Sequence, residues 1–151
     1  MKLSLILACV PFAAYVSFAA SYDSLYTAET GYVTMKGDDS TDNSGFAGKG
    51  KWSDGLPPHA DTNYYVGTGR RFITPNNSSL NAHVFQGNKL VVAGKIVHTA
   101  GSSSRISWGD TEFLPGSGYD FSSVGAIQAG TFTVRGTEEN PFRFYIKRGD
   151  T

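Results

Sequence analysis

The two acids best spaced for chemistry in this chain are Asp110 and Glu112. Two positions apart on a β-strand, their side chains fall on one face, and paired carboxylates are what hydrolysis of a glycosidic bond requires. A solvated strand face has the same spacing, and the other acids (Asp54, Asp61, Asp120, Glu138, Glu139) are scattered. The run Asp38-Asp39-Ser40-Thr41-Asp42-Asn43-Ser44-Gly45 holds hard oxygen donors of the kind calcium takes. It departs from the D-x-[DN]-x-[DN]-G loop, and Asx-turns account for its composition without metal. His59, His83 and His98 stand far apart, the single cysteine is Cys9, and there is no G-x-S-x-G elbow. Neither a triad nor a zinc set is therefore written here. Gly67-Thr68-Gly69-Arg70-Arg71 has the look of a phosphate loop, but no helix follows to present its N-terminus to an anion. Arg70-Arg71 reads better as charge guarding a strand edge. No residue is assigned a catalytic, cofactor-binding or metal-binding role.

Binding chemistry has more material. Trp52, Tyr64, Tyr65, Trp108, Tyr119 and Tyr145 are of the type that stacks on sugar rings, although aromatics in a glycine-rich β-chain also serve as core. Asn76-Asn77-Ser78-Ser79 contains two N-x-S sequons, which matter only in a eukaryotic secretory pathway. Arg148-Gly149-Asp150 is an integrin-type tripeptide that also reads as an ordinary glycine corner with flanking charge.

The elements that must position these groups are short. The chain has 151 residues, at most one domain. Its 13 basic and 13 acidic residues leave no net field for nucleic acid. Eighteen glycines and 13% aromatics, with only 17% charged residues, favour strands over helices. Lys2, the apolar run Leu3–Ala14 broken by Pro11, and the small residues Ser17, Ala19 and Ala20 form a signal peptide with cleavage expected near 19–21. An apolar run of about six residues before Cys9 is too short for a lipidation signal. The mature chain then lacks cysteine and any membrane span. The expected division is a signal peptide over 1–20, a polar lead-in with a first strand over 21–45, and a β-solenoid segment over 46–151.

From Lys89 onward an apolar-x-x-Gly frame recurs at Gly94, Gly109, Gly130 and Gly149. Short strands with glycine corners at a period of roughly 20 residues are how a parallel β-helix is written, and a β-sandwich is the alternative. The frames predict that Leu90–Val92, Ile106–Trp108, Ile127–Ala129 and Phe144–Ile146 are strands in one parallel stack. Val91, Ile127 and Ile146 would form an inward column, and Gly94 and Gly130 would sit at corners. The chain stops at Thr151 straight after an apolar strand, as the N-terminal part of something longer would.

Trp52-Ser53-Asp54-Gly55, a proline turn, Tyr64-Tyr65-Val66, Phe72-Ile73-Thr74-Pro75 and Val84-Phe85-Gln86-Gly87-Asn88-Lys89-Leu90 occur in that order. Together they resemble the N-terminal region of exported bacterial proteins with autotransporter-type β-strand repeats. The residues carrying the resemblance are Trp52, Asp54, Gly55, Phe85, Gly87, Leu90, Gly94 and Gly130. It implies an exported, secreted or cell-surface passenger, adhesin-like and without catalytic activity, whose partners are surface glycans or other extracellular macromolecules. A carbohydrate-binding β module, or a non-catalytic fragment of a polysaccharide-acting β-helix enzyme, is the alternative.

Overall fold

The structure is a computed structural model that describes residues 21–39, 44–46, 48, 50–75, 82–99, 101, 105–121 and 125–146. Among the described residues ten strands follow one another: β1 (Tyr32–Thr34), β2 (Asn63–Val66), β3 (Arg71–Ile73), β4 (Ala82–Val84), β5 (Lys89–Val92), β6 (Lys95–His98), β7 (Arg105–Phe113), β8 (Gly118–Phe121), β9 (Ala126–Val134) and β10 (Arg143–Ile146). No α-helix occurs among the described residues. Most of these strands are runs of three or four residues bounded by glycine, proline or polar clusters, whereas β7 and β9 run nine residues through an internal glycine.

Every strand–strand pairing is parallel. One stack runs β1-β2-β5-β7-β9, with β4 laid against the first third of β7. The other runs β3-β6-β8-β10. Asn63, Lys89, Asp110 and Thr131 share one column, to which the chain returns once per coil. Arg71, Lys95, Gly118 and Arg143 share another in the same way. Parallel neighbours need a crossover of about a dozen residues or more, and here the rest of each coil supplies it. The fold is therefore an all-β parallel solenoid, and the sandwich is excluded.

The predicted register is corrected. All four predicted segments lie in strands, but Leu90–Val92 pairs with Thr111–Phe113, not with Ile106–Trp108. Ile106 does pair with Ile127, and Phe144 pairs with Tyr119. The frames mark different corners of the coil, because Gly94 turns β5 into β6 whereas Gly109 and Gly130 bend β7 and β9 midway. The proposed Val91–Ile127–Ile146 column consequently does not form. Val91 points outward beneath a tyrosine cover, Ile127 packs half-buried on the core, and Ile146 is exposed on the last coil.

The inward columns are Tyr64–Leu90–Thr111–Phe132, Val66–Val92–Phe113–Val134 and Phe72–Ile96–Tyr119–Phe144. Around them the core is largely aromatic, and Trp52 is fully buried at ring-centroid distances of 4.7 Å from Tyr64 and 5.7 Å from Phe72. The first coil is closed by Met35, Phe46 and Trp52. The free edge of β3 is closed too. Asp39 N–H donates to the Arg71 carbonyl, Arg71 N–H to Asp38 Oδ1, Ile73 N–H to Asp39 Oδ2, and Ser44 Oγ to the Ile73 carbonyl. Two aspartates and a serine thus stand in for a missing strand, which removes an aggregation-prone edge. Residues 22–32 form a strap over the outer face of β2 and β5. Tyr26 stacks on Tyr65 at 4.7 Å, and Asp23 accepts hydrogen bonds from the Tyr65 hydroxyl and Thr68 N–H. At the other end Phe132, Val134, Phe144, Tyr145 and Ile146 are 38–63% exposed.

Candidate functional site: a trough along three stacked corners

Where β2 turns into β3, β5 into β6 and β7 into β8, the chain passes through Gly67–Arg70, Ala93–Gly94 and Leu114–Ser117. Backbone hydrogen bonds lock these corners one on the next. Ala93 N–H donates to the Val66 carbonyl, Leu114 N–H to that of Val92, Lys95 N–H to that of Arg70, and Gly118 N–H to that of Gly94. The approach is close at Gly94, where a Cβ would lie 2.2 Å from the Arg70 carbonyl oxygen and 2.6 Å from that of Gly67. Backbone packing thus demands glycine at Gly94, whereas Gly69 and Gly116 sit at φ 73° and 81° with no atom nearer than 3.9 Å to an added Cβ; the surface above these small residues is concave. A groove of about 520 Å³ results, floored by Gly69, Gly94, Gly116, Ser117 and Gly118 and walled by Arg70, Lys95, Asp120, Arg143 and Tyr145. Arg70, Lys95 and Arg143 are exposed and make no ion pair among the described residues. Tyr145 is 60% exposed, with its ring open to solvent.

Of the residues singled out from sequence for chemistry, Thr68, Gly69, Arg70, Tyr119, Asp120 and Tyr145 line the trough, and the others fall elsewhere. Asp110 and Glu112 lie in β7, but Glu112 is buried against Lys89 Nζ at 2.6 Å and the guanidinium of Arg135, while Asp110 is exposed. Burial pushes the Glu112 carboxyl up, and the bonds from Lys89 and Arg135 outweigh it and hold the group below the usual range. An acid clamped ionised between two cations ties neighbouring coils together and is a poor proton donor. Of the acidic run, Asp38 and Asp39 serve β3, and 40–43 lie outside the described residues. Among the described residues no cluster of three or more His, Cys, Asp or Glu could hold a metal ion. His59 braces its own loop, with Nδ1 3.1 Å from the Tyr64 hydroxyl and Nε2 3.0 Å from Thr62 Oγ1. The sequons at Asn76 and Asn77 and the Arg148-Gly149-Asp150 tripeptide lie outside the described residues, as does the leader 1–20.

The eight residues carrying the resemblance are framework. Trp52, Phe85 and Leu90 are core. Asp54 Oδ1 accepts from Leu56 N–H across the turn that Gly55 makes at φ 77°. A Cβ on Gly87 would meet the Phe85 and Tyr64 rings at 2.6 Å, and one on Gly130 would meet Trp108 Cβ at 2.8 Å. Of the six aromatics considered for sugar stacking, Trp52, Tyr64, Tyr65, Trp108 and Tyr119 are buried and only Tyr145 is presented. Lys95, Ser117, Asp120 and Arg143 were not legible as a group. The Arg71–Lys95–Gly118–Arg143 column repeats no motif from coil to coil, and only the pairing register reveals it.

One buried group titrates in an accessible range. His98 is fully buried, stacked on Phe121 at 4.3 Å, with Nδ1 2.9 Å from the Tyr119 hydroxyl. Burial pushes its imidazole down to about 4, against about 6.5 in an unfolded chain. A base depressed in the fold contributes fully above the unfolded value and loses that contribution as pH falls through the window from 6.5 to 4. The wild type should lose about 3 kcal/mol more than His98→Phe between pH 7 and pH 4. Denaturant titrations at both pH values test this; parallel losses in the two proteins would refute it.

No helix among the described residues is long and apolar enough to cross a membrane. No family model, curated protein or solved structure matches the chain.

Proposed function

We propose that the protein is an exported, non-catalytic interaction scaffold of the secreted or cell-surface kind, adhesin-like, whose solenoid presents its outer faces to extracellular macromolecules. The observation that supports this reading is the stack of parallel coils itself. Such a fold offers a long lateral surface on a framework held by ladders and core, with no need of disulfides. Of the acid pair Asp110 and Glu112, Glu112 is committed to holding coils together, and Asp39 of the acidic run is committed to the cap. The leader pattern in 1–20 supports export.

Expression of the full chain with its leader in a bacterial host tests the export half. Protein recovered outside the cytoplasm should begin near positions 20–22, and an exported fraction that still starts at Met1 would refute cleavage. Incubation with polysaccharides should release no new reducing ends; measurable depolymerisation would favour the polysaccharide-acting alternative. The carbohydrate-binding alternative gains from one observation, the trough with its open tyrosine.

A further inference from the structure

We infer that the trough over the three stacked corners binds an anionic polysaccharide lying along the solenoid axis. This deepens the interaction-scaffold reading and rests on it. Successive coils lie about 4.8 Å apart in the ladder direction. Lys95 and Arg143 occupy one column with Gly118 between them, so their backbones stand about 9.6 Å apart along the axis. Arg70 sits at the preceding corner and widens the positive wall. Three cations without an ion-pair partner among the described residues thus follow the axis of a groove about 520 Å³ in volume.

The ligand class follows from what else lines the groove. A glycine and serine floor lets a bulky, hydroxylated chain approach the backbone. Asp120 adds a carboxylate to the wall, an acceptor type suited to sugar hydroxyl groups. Tyr145 presents an aromatic face of the kind that packs on pyranose rings. An acidic peptide fits less well, because peptide capture by strand addition uses a free edge, whereas the corner amides here are bonded from coil to coil. Nucleic acid fits less well too, since single strands are held by successive aromatic platforms, and of the described groove residues Tyr145 alone presents an exposed ring. Carboxylated and sulfated glycans share the chemistry the trough recognises, and the test separates them.

The full chain, purified from whichever cell fraction holds it, is titrated with polygalacturonate, dextran sulfate, neutral dextran and single-stranded DNA. Binding is thereby read independently of export. The wild type should bind one or both charged glycans, and neutral dextran should bind at least roughly tenfold more weakly. Polygalacturonate binding alone would identify carboxylates as the group recognised, and dextran sulfate alone would identify sulfates. Lys95→Ala and Arg143→Ala should each reduce affinity about tenfold, the loss of one charge-assisted contact, and flatten the salt dependence. Tyr145→Ala should weaken binding with the salt dependence unchanged. Arg105→Ala, an exposed cation outside the trough, should leave affinity as it was. Because Lys95, Arg143 and Tyr145 are exposed, melting temperatures should be unaltered. Equal affinity for neutral dextran, wild-type affinity in the Lys95/Arg143 double variant, or tighter binding of DNA than of either glycan would each overturn the assignment.

Discussion

Replacing Trp52 by alanine should lower the free energy of unfolding by about 3–5 kcal/mol. The indole is fully buried, lies edge-on to Tyr64 and Phe72, and donates from Nε1 to the Gly45 carbonyl at 2.7 Å. Its loss opens a cavity under the first coil and leaves a buried carbonyl without its donor, two costs that add. Trp52 also anchors the segment whose Asp38, Asp39 and Ser44 close the edge of β3. The variant should therefore aggregate more readily as well as melt earlier, since a bare edge strand pairs with other chains. Trp52→Phe should recover part of the stability. Urea titrations of both variants, with light scattering at matched concentration, measure the two effects. A loss of only a few tenths of a kcal/mol in Trp52→Ala would place the indole at the surface.

The second large effect is expected at Gly94. Alanine there should cost at least about 3 kcal/mol, the upper range for overpacking. The added Cβ would stand 2.2 Å from one backbone oxygen and 2.6 Å from another, and backbone cannot swing aside as a side-chain tip can. The only relief is to part the corner of β2–β3 from that of β5–β6, which breaks the bond from Lys95 N–H to the Arg70 carbonyl. Gly69→Ala is the informative comparison. Gly69 has a φ of 73° with nothing within 4 Å of an added Cβ, so it should cost only the left-handed penalty of about 1–2 kcal/mol. If Gly94→Ala proved milder than Gly69→Ala, close coil packing would not be what demands glycine at this corner.

That comparison also shows where sequence reasoning reached and where it stopped. The sequence places Gly94 at a corner because of the conformational freedom of glycine; it is at a corner, but it is glycine because two carbonyls leave no room for a Cβ. The burial of Trp52 was legible from its place before an Asp-Gly turn and two apolar strands. The parallel solenoid was legible as well, since short alternating runs between recurring glycine breaks constrain a chain to coil. Those are local properties, set by backbone conformation and by which face of each strand is apolar.

Register was not local. The coils differ in loop length, and side chains are indifferent to sequence distance once a ladder forms. The apolar-x-x-Gly frames therefore mark corners without saying which corner stacks on which. The outward role of Val91 depended on Tyr22, Tyr26 and Tyr32 folding back over it, a contact that no alternation pattern encodes. The trough is the clearest case. Its Arg70, Lys95, Asp120, Arg143 and Tyr145 come from successive coils and carry no common motif. By itself the sequence determined that this chain would be a stack of β-coils with glycine corners. Only the tertiary structure decided which charges stand above one another, because lateral hydrogen bonding between coils brings together residues that the chain keeps a full coil apart.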